Sequence, residues 1–310
     1  MKKFLAVAAV LVVTSVHAEE LKFGDLNYFL KQGQFNVGAD AIMNNEPSRS
    51  GVSVDNEVDG YLFETHAGYA LNDSLNFTLG LNYLFDGTTK IGKNSSNTND
   101  AGFQNPKFGA NYRLLNQNET GLNLDVGAVA SIKLIDREVG SANKDGNNIN
   151  PLLTNYGEPR NTMDVNARLG KKWNEANEFY FTGGVAYHMD GSYKELEGET
   201  IDMDSSLDFK LSAFYQYRPV HEFMLTVGIA GTRVGEMDGN DGVTNTTKTS
   251  HIDNQVVFNA KYLITESLIA KFITTQDNRS NFDVTKDVGA TETYSKRHAL
   301  QYGLGLDFIF

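Results

Sequence analysis

The sequence predicts an all-β chain that forms a transmembrane, antiparallel, up-and-down β-barrel of about 12 strands. Three observations predict it. Apolar residues alternate with polar or small ones along segments of roughly 10 residues. The connections between these segments alternate between short turns and long polar stretches. The composition combines 14 Tyr, 19 Phe and 29 Gly with only 5 Pro, a mixture expected when one strand face meets lipid and the other meets water.

Residues 1–18 are predicted to be a cleaved secretory signal peptide. Lys2 and Lys3 supply the positive charge, the run from Phe4 to Val13 is apolar, and small residues precede the expected cut after Ala18. The apolar run is too short, and wrongly flanked, for a helix that spans a bilayer. The chain has no cysteine, so neither disulfides nor thiolate chemistry are expected.

Residues 19–33 are predicted to be a periplasmic N-terminal segment or a plug. Asp25 is suited to cap a turn of helix that carries Leu26, Phe29 and Leu30 at helical spacing. Two interpretations stay open on the sequence alone. The segment either enters the lumen of the barrel or is a tail at the periplasmic side.

Residues 34–310 are predicted to form the barrel. Each predicted strand is close to the roughly 9–11 residues that a tilted membrane strand needs. The strands are predicted at 34–44, 58–71, 75–85, 105–115, 122–133, 162–171, 178–188, 207–217, 222–233, 255–263, 268–276 and 297–310.

The connections sort by length into two classes. Short ones are predicted at 72–74, 116–121, 172–177, 218–221 and 264–267. Long ones, rich in Asn, Asp, Gly, Ser and Thr, are predicted at 45–57, 86–104, 134–161, 189–206, 234–254 and 277–296. Short periplasmic turns and long extracellular loops are typical of outer-membrane barrels, whereas a soluble sandwich has no reason to alternate its loops in this way.

The alternation also assigns residues to the lumen. On the strand 75–85, Phe77 and Leu79 would meet lipid while Asn76 and Thr78 face inward. The inward charged residues, which we predict to line a path for solute, are Asp40, Glu64, Lys107, Arg113, Asp125, Lys133, Asp164, Arg168, Asp208, Lys210, Lys261, Lys271 and Asp307. Two interpretations of these charges stay open. They form ion pairs that hold a small barrel shut, or they line a polar path whose cationic and anionic groups contact a small solute.

The last strand carries a further signal. Leu300, Tyr302, Leu304, Leu306, Phe308 and Phe310 share one face, and the chain ends on an aromatic residue. Gly305, Phe308 and Phe310 resemble the terminal assembly signal of Gram-negative outer-membrane β-barrel proteins, although Gly303 stands where that family often has a polar residue. The resemblance implies a bacterial outer-membrane location, recognition by the barrel assembly machinery, and contact with outer-membrane lipid and lipopolysaccharide.

A second resemblance covers a shorter stretch. The segment from Gly102 to Leu115, followed by a glycine-bearing strand, looks like part of the barrels associated with phenol meta-pathway operons. Those barrels often close the next strand with Pro-Thr-Gly, where this chain has Ile132 to Ile135. The resemblance implies movement of apolar or aromatic compounds across the outer membrane.

These features predict an outer-membrane channel or transporter for passive uptake of small solutes, possible substrates being apolar or aromatic compounds. The alternatives are a non-conducting structural or surface-interaction barrel and, third, an outer-membrane enzyme of lipase or protease type. A formal net charge of −12 argues against nucleic acid as a partner, and no cofactor is predicted.

We predict that the chain is not an enzyme and holds no metal. The histidines are scattered along the chain, and His188 with Asp190 is the nearest approach to the Asp and His of outer-membrane proteases. The segment 189–206 is acidic, with Glu195, Glu197 and Glu199 among its carboxylates, but no calcium-loop motif is complete. A solvated acidic loop is the simpler interpretation.

Overall fold

The structure, a computed structural model, describes ten segments of the chain. They are residues 29–49, 55–85, 87–91, 95–99, 102–134, 160–194, 200–240, 244–287, 291–294 and 297–310. The predicted signal peptide, residues 1–18, lies outside the described residues, as does the first part of the N-terminal segment, residues 19–28. Glu195, Glu197 and Glu199 of the predicted acidic loop lie outside them as well.

Twelve long strands form the wall of a closed antiparallel barrel. In chain order they are β1 (Phe35–Arg49), β2 (Asp55–Asn72), β3 (Leu75–Leu84), β4 (Lys107–Leu115), β5 (Asn123–Ser131), β6 (Arg160–Asn174), β7 (Asn177–Lys194), β8 (Ser206–Val220), β9 (Phe223–Val234), β10 (His251–Thr265), β11 (Leu268–Arg279) and β12 (Arg297–Ile309). Each predicted strand overlaps one of them, so the predicted fold class and strand number are confirmed.

Each strand pairs with its neighbours in sequence, and the last strand pairs with the first. Asn36 lies opposite Ile309 across the β1–β12 seam. The backbone of Phe35 and that of Phe310 exchange two hydrogen bonds, of 3.0 and 2.8 Å. Among the twelve described wall strands, closure leaves no unpaired edge, which lipid does not tolerate.

The two ends of the barrel differ. At the end that we call the turn end, residues 73–74, 175–176, 221–222 and 266–267 connect successive strands, and the connection after β4 contains one helical turn, Gln117–Thr120. The opposite end, which we call the loop end, carries additional short strands. They are Gly87–Ile91, Ser95–Asn99, Gly102–Phe103, Thr200–Met203, Met237–Asn240, Asn245–Lys248, Phe282–Lys286 and Glu292–Tyr294.

Those short strands correct the sequence prediction, which treated their segments as loops. The segment 95–99, for example, reads Ser-Ser-Asn-Thr-Asn and pairs with 87–91 as a hairpin. A hairpin of polar residues gives no apolar alternation, and alternation was the signal used to find strands. The wall strands also extend further toward the loop end than predicted, β7 to Lys194 rather than to residue 188.

The outer wall is apolar. Large hydrophobic side chains at alternate positions are exposed, among them Leu304 (68 %), Ile229 (63 %) and Leu211 (69 %). A soluble protein rarely exposes so continuous an apolar surface, whereas a membrane barrel presents such a band to lipid. The protein is therefore an outer-membrane-type β-barrel. Among the described residues, no helix has the length and apolar character needed to cross a bilayer.

The buried apolar cluster lies inside the barrel at the turn end. It consists of Leu30, Ala70, Met224, Leu263, Ile269 and Ile309. Leu30 precedes β1 and is only 5 % exposed. The segment that carries it is held at this end, since Gln32 N donates to Asp73 Oδ1 over 2.8 Å and Gly33 N donates to Ala70 O over 2.9 Å.

Candidate channel lumen

A cavity of about 430 Å³ occupies the barrel interior, and every wall strand contributes to its lining. Its ionisable lining side chains are His66, Asp125, Arg168, Lys261, Lys271 and Asp307. The apolar and aromatic part of the lining is Phe29, Leu30, Tyr180, Met224, Ile269 and Ile309. Asn, Gln and Thr side chains complete the wall. The cavity is thus polar over much of its surface and apolar toward the turn end.

Lys271 organises a buried cluster of charges in the wall. Its Nζ lies 2.7 Å from Asp40 Oδ1 and 2.8 Å from Asp307 Oδ1, and the three side chains are 8 to 12 % exposed. His66 Nε2 lies 2.9 Å from the same Asp307 oxygen. The cluster joins β1, β2, β11 and β12, so it ties the first two strands to the last two across the seam.

Two glycines make room for this cluster. A Cβ atom at Gly305 would overlap Asp40 Oδ1, and one at Gly38 would overlap Asp307 Oδ1 and the ring of His66. Neither position requires an unusual backbone conformation. Close approach of the carboxylates to the backbone therefore explains both glycines. Gly305, which the sequence suggested as part of an assembly signal, also has this packing role.

Arg113 forms the second buried pair. Its Nε lies 2.8 Å from Asp125 Oδ1 and its Nη2 lies 3.4 Å from Asp125 Oδ2, with both side chains less than 9 % exposed. The two residues are direct neighbours across β4 and β5. The ring of Phe29 lies 4.5 Å from the guanidinium carbon, a distance suited to a cation–π contact. The N-terminal segment therefore reaches the charged wall.

Further pairs lie nearer the loop end. Lys210 pairs with Asp164, and His188 Nε2 lies 3.0 Å from Asp208 Oδ2. Arg279 makes a two-pronged contact with Asp253, with nitrogen–oxygen distances of 2.9 and 3.2 Å. Lys210 and Asp164 are 46 residues apart in the chain. Such partners cannot be predicted without the register of the strands.

The other predicted lumen residues have varied surroundings. Glu64 accepts a hydrogen bond of 3.0 Å from Asn82, and Lys133 Nζ donates to Ser192 O over 2.9 Å. Lys107 is exposed. Arg168 and Lys261 line the central cavity. The thirteen predicted charges therefore do not form one site, since they divide between the cavity, the wall pairs and the loop end.

Sequence reasoning missed several residues of the lumen. His66, His188, Asp253 and Arg279 all take part in wall ion pairs, and Tyr180 lines the cavity. Alternation along β2 from Glu64 places His66 on the inner face, so for this residue the signal was present in the sequence. Asp253 and Arg279 lie outside the shorter strands that were predicted.

His188, the nearest approach to a protease histidine in the sequence, does not pair with Asp190. His188 contacts Asp208 and Thr162, while Asp190 is exposed. Within the described parts of the chain, no group of three or more His, Cys, Asp or Glu side chains is placed to hold a metal ion.

Neither a known family model nor a curated protein sequence matches the chain. Solved structures do. The COG4313 outer membrane channel from Pseudomonas putida is 16 % identical with a TM-score of 0.57, and the alignment covers 92 % of this chain and 99 % of that one. The NanC porin is 8 % identical, with 87 % and 98 % covered and a TM-score of 0.46. The TodX monoaromatic hydrocarbon channel is 9 % identical, with 93 % and 92 % covered and a TM-score of 0.44.

At these identities the likeness concerns the fold. Together with the closed wall and the apolar outer surface, it confirms the resemblance to outer-membrane barrels that the last strand suggested. The finer resemblance, to barrels associated with phenol meta-pathway operons, is consistent with this fold. The chain is a β-barrel protein of the bacterial outer membrane.

Proposed function

We propose that the protein is a passive outer-membrane channel or transporter for small solutes. The observation that carries the proposal is the cavity of about 430 Å³, which all twelve strands line with amide, hydroxyl and charged groups. Side chains fill the lumen of barrels of about eight strands, and barrel diameter grows with the number of strands, so twelve strands leave interior space that polar side chains line here. Polar groups along such an interior are suited to a hydrated solute.

The wall ion pairs support the same proposal. Asp40, Asp125 and Asp307 each have a basic partner within 3 Å. Pairing along the wall, between strands that are adjacent or one strand apart, keeps these side chains against the sheet. It thereby leaves central space open, in contrast to pairs that would bridge opposite walls. The two interpretations of the inward charges thus combine: the pairs stabilise the wall, and the remaining groups line the path.

A specific observation favours the alternative of a non-conducting barrel. Phe29 and Leu30 lie at the turn end, Leu30 within the buried cluster and Phe29 against Arg113. This position fits the plug interpretation of residues 19–33. We propose that the segment narrows the turn end without abolishing passage, because the cavity persists beside Phe29 and Leu30.

The proposal includes the remaining sequence expectations. Residues 1–18 would be removed on export, and the turn end would face the periplasm. The barrel assembly machinery would recognise the last strand, and lipopolysaccharide would contact the outer face of the wall. No enzymatic role is proposed, since His188 pairs with Asp208 rather than with Asp190, which is exposed. Small apolar or aromatic compounds are the solutes that the finer resemblance suggests.

Solute flux into liposomes tests the proposal. Liposomes that contain the refolded protein should swell faster than protein-free liposomes in an isotonic solution of a pentose, because the sugar and water enter through the lumen. A large dextran, which the cavity cannot admit, is the matched control and should give no swelling. Equal swelling rates in pentose with and without folded protein would contradict a passive channel.

A further inference from the structure

Among the described residues, two basic side chains of the central cavity, Arg168 and Lys261, form no ion pair, although Asp125 lies directly opposite Arg168 across β5 and β6. The carboxylates that line it, Asp125 and Asp307, are engaged by Arg113 and Lys271. In the part of the chain that the structure describes, neither Arg168 nor Lys261 has a carboxylate within 4 Å. The cavity therefore has an excess of positive charge, although the whole chain carries a net charge of −12.

Arg168 has an unfilled hydrogen-bonding position. Its Nε is buried and has no hydrogen-bond partner among the described residues. Its guanidinium carbon lies 5.6 Å from the centre of the Tyr180 ring, which in turn stacks on Phe214 at 4.9 Å with an angle of 17° between the planes. The aromatic pair holds the guanidinium in place. A buried N–H without an acceptor is unfavourable. The side chain of Arg168 lines the cavity, so an anion there would bind the terminal nitrogens of the guanidinium and compensate its charge, while Nε stays buried.

Lys261 is the second such group. It lies directly opposite Lys271 across β10 and β11. Asp307 and Asp40 attract Lys261 electrostatically, but both are held by Lys271 at 2.8 and 2.7 Å, and among the described residues neither lies within 4 Å of the Lys261 ammonium. An anion bound near Lys261 would give it a direct partner and offset the repulsion from Lys271.

The cavity surface is apolar toward the turn end. Leu30, Met224, Ile269 and Ile309 belong both to the buried cluster and to the cavity lining. The volume, about 430 Å³, falls within the range of about 300–1,000 Å³ that small-molecule sites occupy. A molecule that fills this space would meet cationic donors on one part of its surface and hydrocarbon on another.

From this arrangement, we propose that the cavity is a binding site for a small carboxylate with an apolar body, held by Arg168 and Lys261. The proposal rests on the proposed channel function, whose solute class it specifies. The carboxylate would accept hydrogen bonds from the two bases, which are stronger than those between neutral groups. The apolar body would contact Leu30, Met224 and Ile269.

Isothermal titration of the refolded protein in detergent with phenylacetate tests the site without requiring conduction. We expect saturable binding of phenylacetate. Benzyl alcohol, which has a ring without the charge, and acetate, which has the charge without the ring, should each bind at least tenfold more weakly. Inorganic phosphate should not displace phenylacetate at equal concentration. Equal binding of phenylacetate and benzyl alcohol, or displacement by phosphate, would overturn the proposed ligand class.

Variants locate the site. The double variant Arg168→Gln, Lys261→Gln should bind phenylacetate at least roughly tenfold more weakly than the wild type. Lys171→Gln, which removes an exposed base outside the cavity lining, should remain within about twofold. The variant Arg168→Lys, Lys261→Arg retains both charges and should bind phenylacetate detectably. Such binding would show that substitution at these two positions does not by itself unfold the barrel. Wild-type affinity in the glutamine variant would refute the site.

Flux into liposomes without phenylacetate binding would refute the binding site but not the channel function. Phenylacetate binding without flux would refute the channel function but not the binding site.

Discussion

Lys271→Met is expected to destabilise the barrel by about 3–5 kcal/mol, the usual cost of removing one partner from a buried ion pair. The substitution leaves Asp40 and Asp307 in the wall without their shared base, at distances of 2.7 and 2.8 Å from where its ammonium was. Both carboxylates are nearly buried, so water cannot fully replace the lost charge. Equilibrium unfolding by guanidinium in lipid vesicles measures the change.

Lys107→Met is the matched control, since it removes a lumen base that is exposed and should change stability by no more than about 0.5 kcal/mol. Adding Asp40→Asn to Lys271→Met should recover part of the loss, because it removes the carboxylate that has lost its base, while Asp307 keeps His66 at 2.9 Å. Equal stability of Lys271→Met and the wild type would show that these carboxylates are solvated or protonated. The charge cluster would then not stabilise the seam.

The change of Phe308 and Phe310 to serine is expected to prevent most of the protein from reaching the folded, membrane-inserted state. Phe308 is 42 % exposed on the outer wall, and its ring stacks near that of Phe310 with centroids 6.5 Å apart. Transfer of such a side chain into an apolar environment contributes about 1.5–3 kcal/mol. These residues also lie on the strand that closes the barrel against β1. The heat-modifiable fraction on gels of outer-membrane preparations measures insertion.

Gln301→Ser provides the control on the same strand. Gln301 lies on the inner face, so its loss should leave the heat-modifiable fraction close to that of the wild type. A normal amount of folded protein in the Phe308→Ser, Phe310→Ser variant would contradict the assembly role of the terminal residues. Loss of folded protein in both variants would mean that the strand is sensitive to any substitution and that its aromatic end is not special.

Much of the wall could be predicted because lipid and lumen impose opposite requirements on successive residues. Along β5, Leu124, Val126 and Ala128 alternate with Asp125 and Gly127, and no helix accommodates that pattern. The same alternation placed the inward charges. Beyond the membrane both faces of a strand meet water, so apolar and polar residues no longer need to alternate. The hairpin formed by 87–91 and 95–99 therefore left no signal in the sequence.

The grouping of the lumen charges could not be predicted from sequence. Lys271 and Asp40 are 231 residues apart and meet only because β12 closes against β1 with one particular register. A shift of that register by one residue would turn either side chain toward lipid. The excess of basic over acidic side chains in the cavity depends on the same strand pairing. Composition alone does not show which of the thirteen predicted inward charges form ion pairs.

Single-channel recording in planar bilayers tests the central claim, a conducting polar lumen, most directly. The refolded wild-type protein should give discrete current steps. A variant that lacks residues 19–33 should give larger steps at matched salt, because it removes Phe29 and Leu30 from the turn end of the cavity. Steps from the deletion variant alone would identify the segment as a complete plug. The absence of steps from both proteins, when each is shown to be folded by its heat-modifiable mobility, would contradict the account.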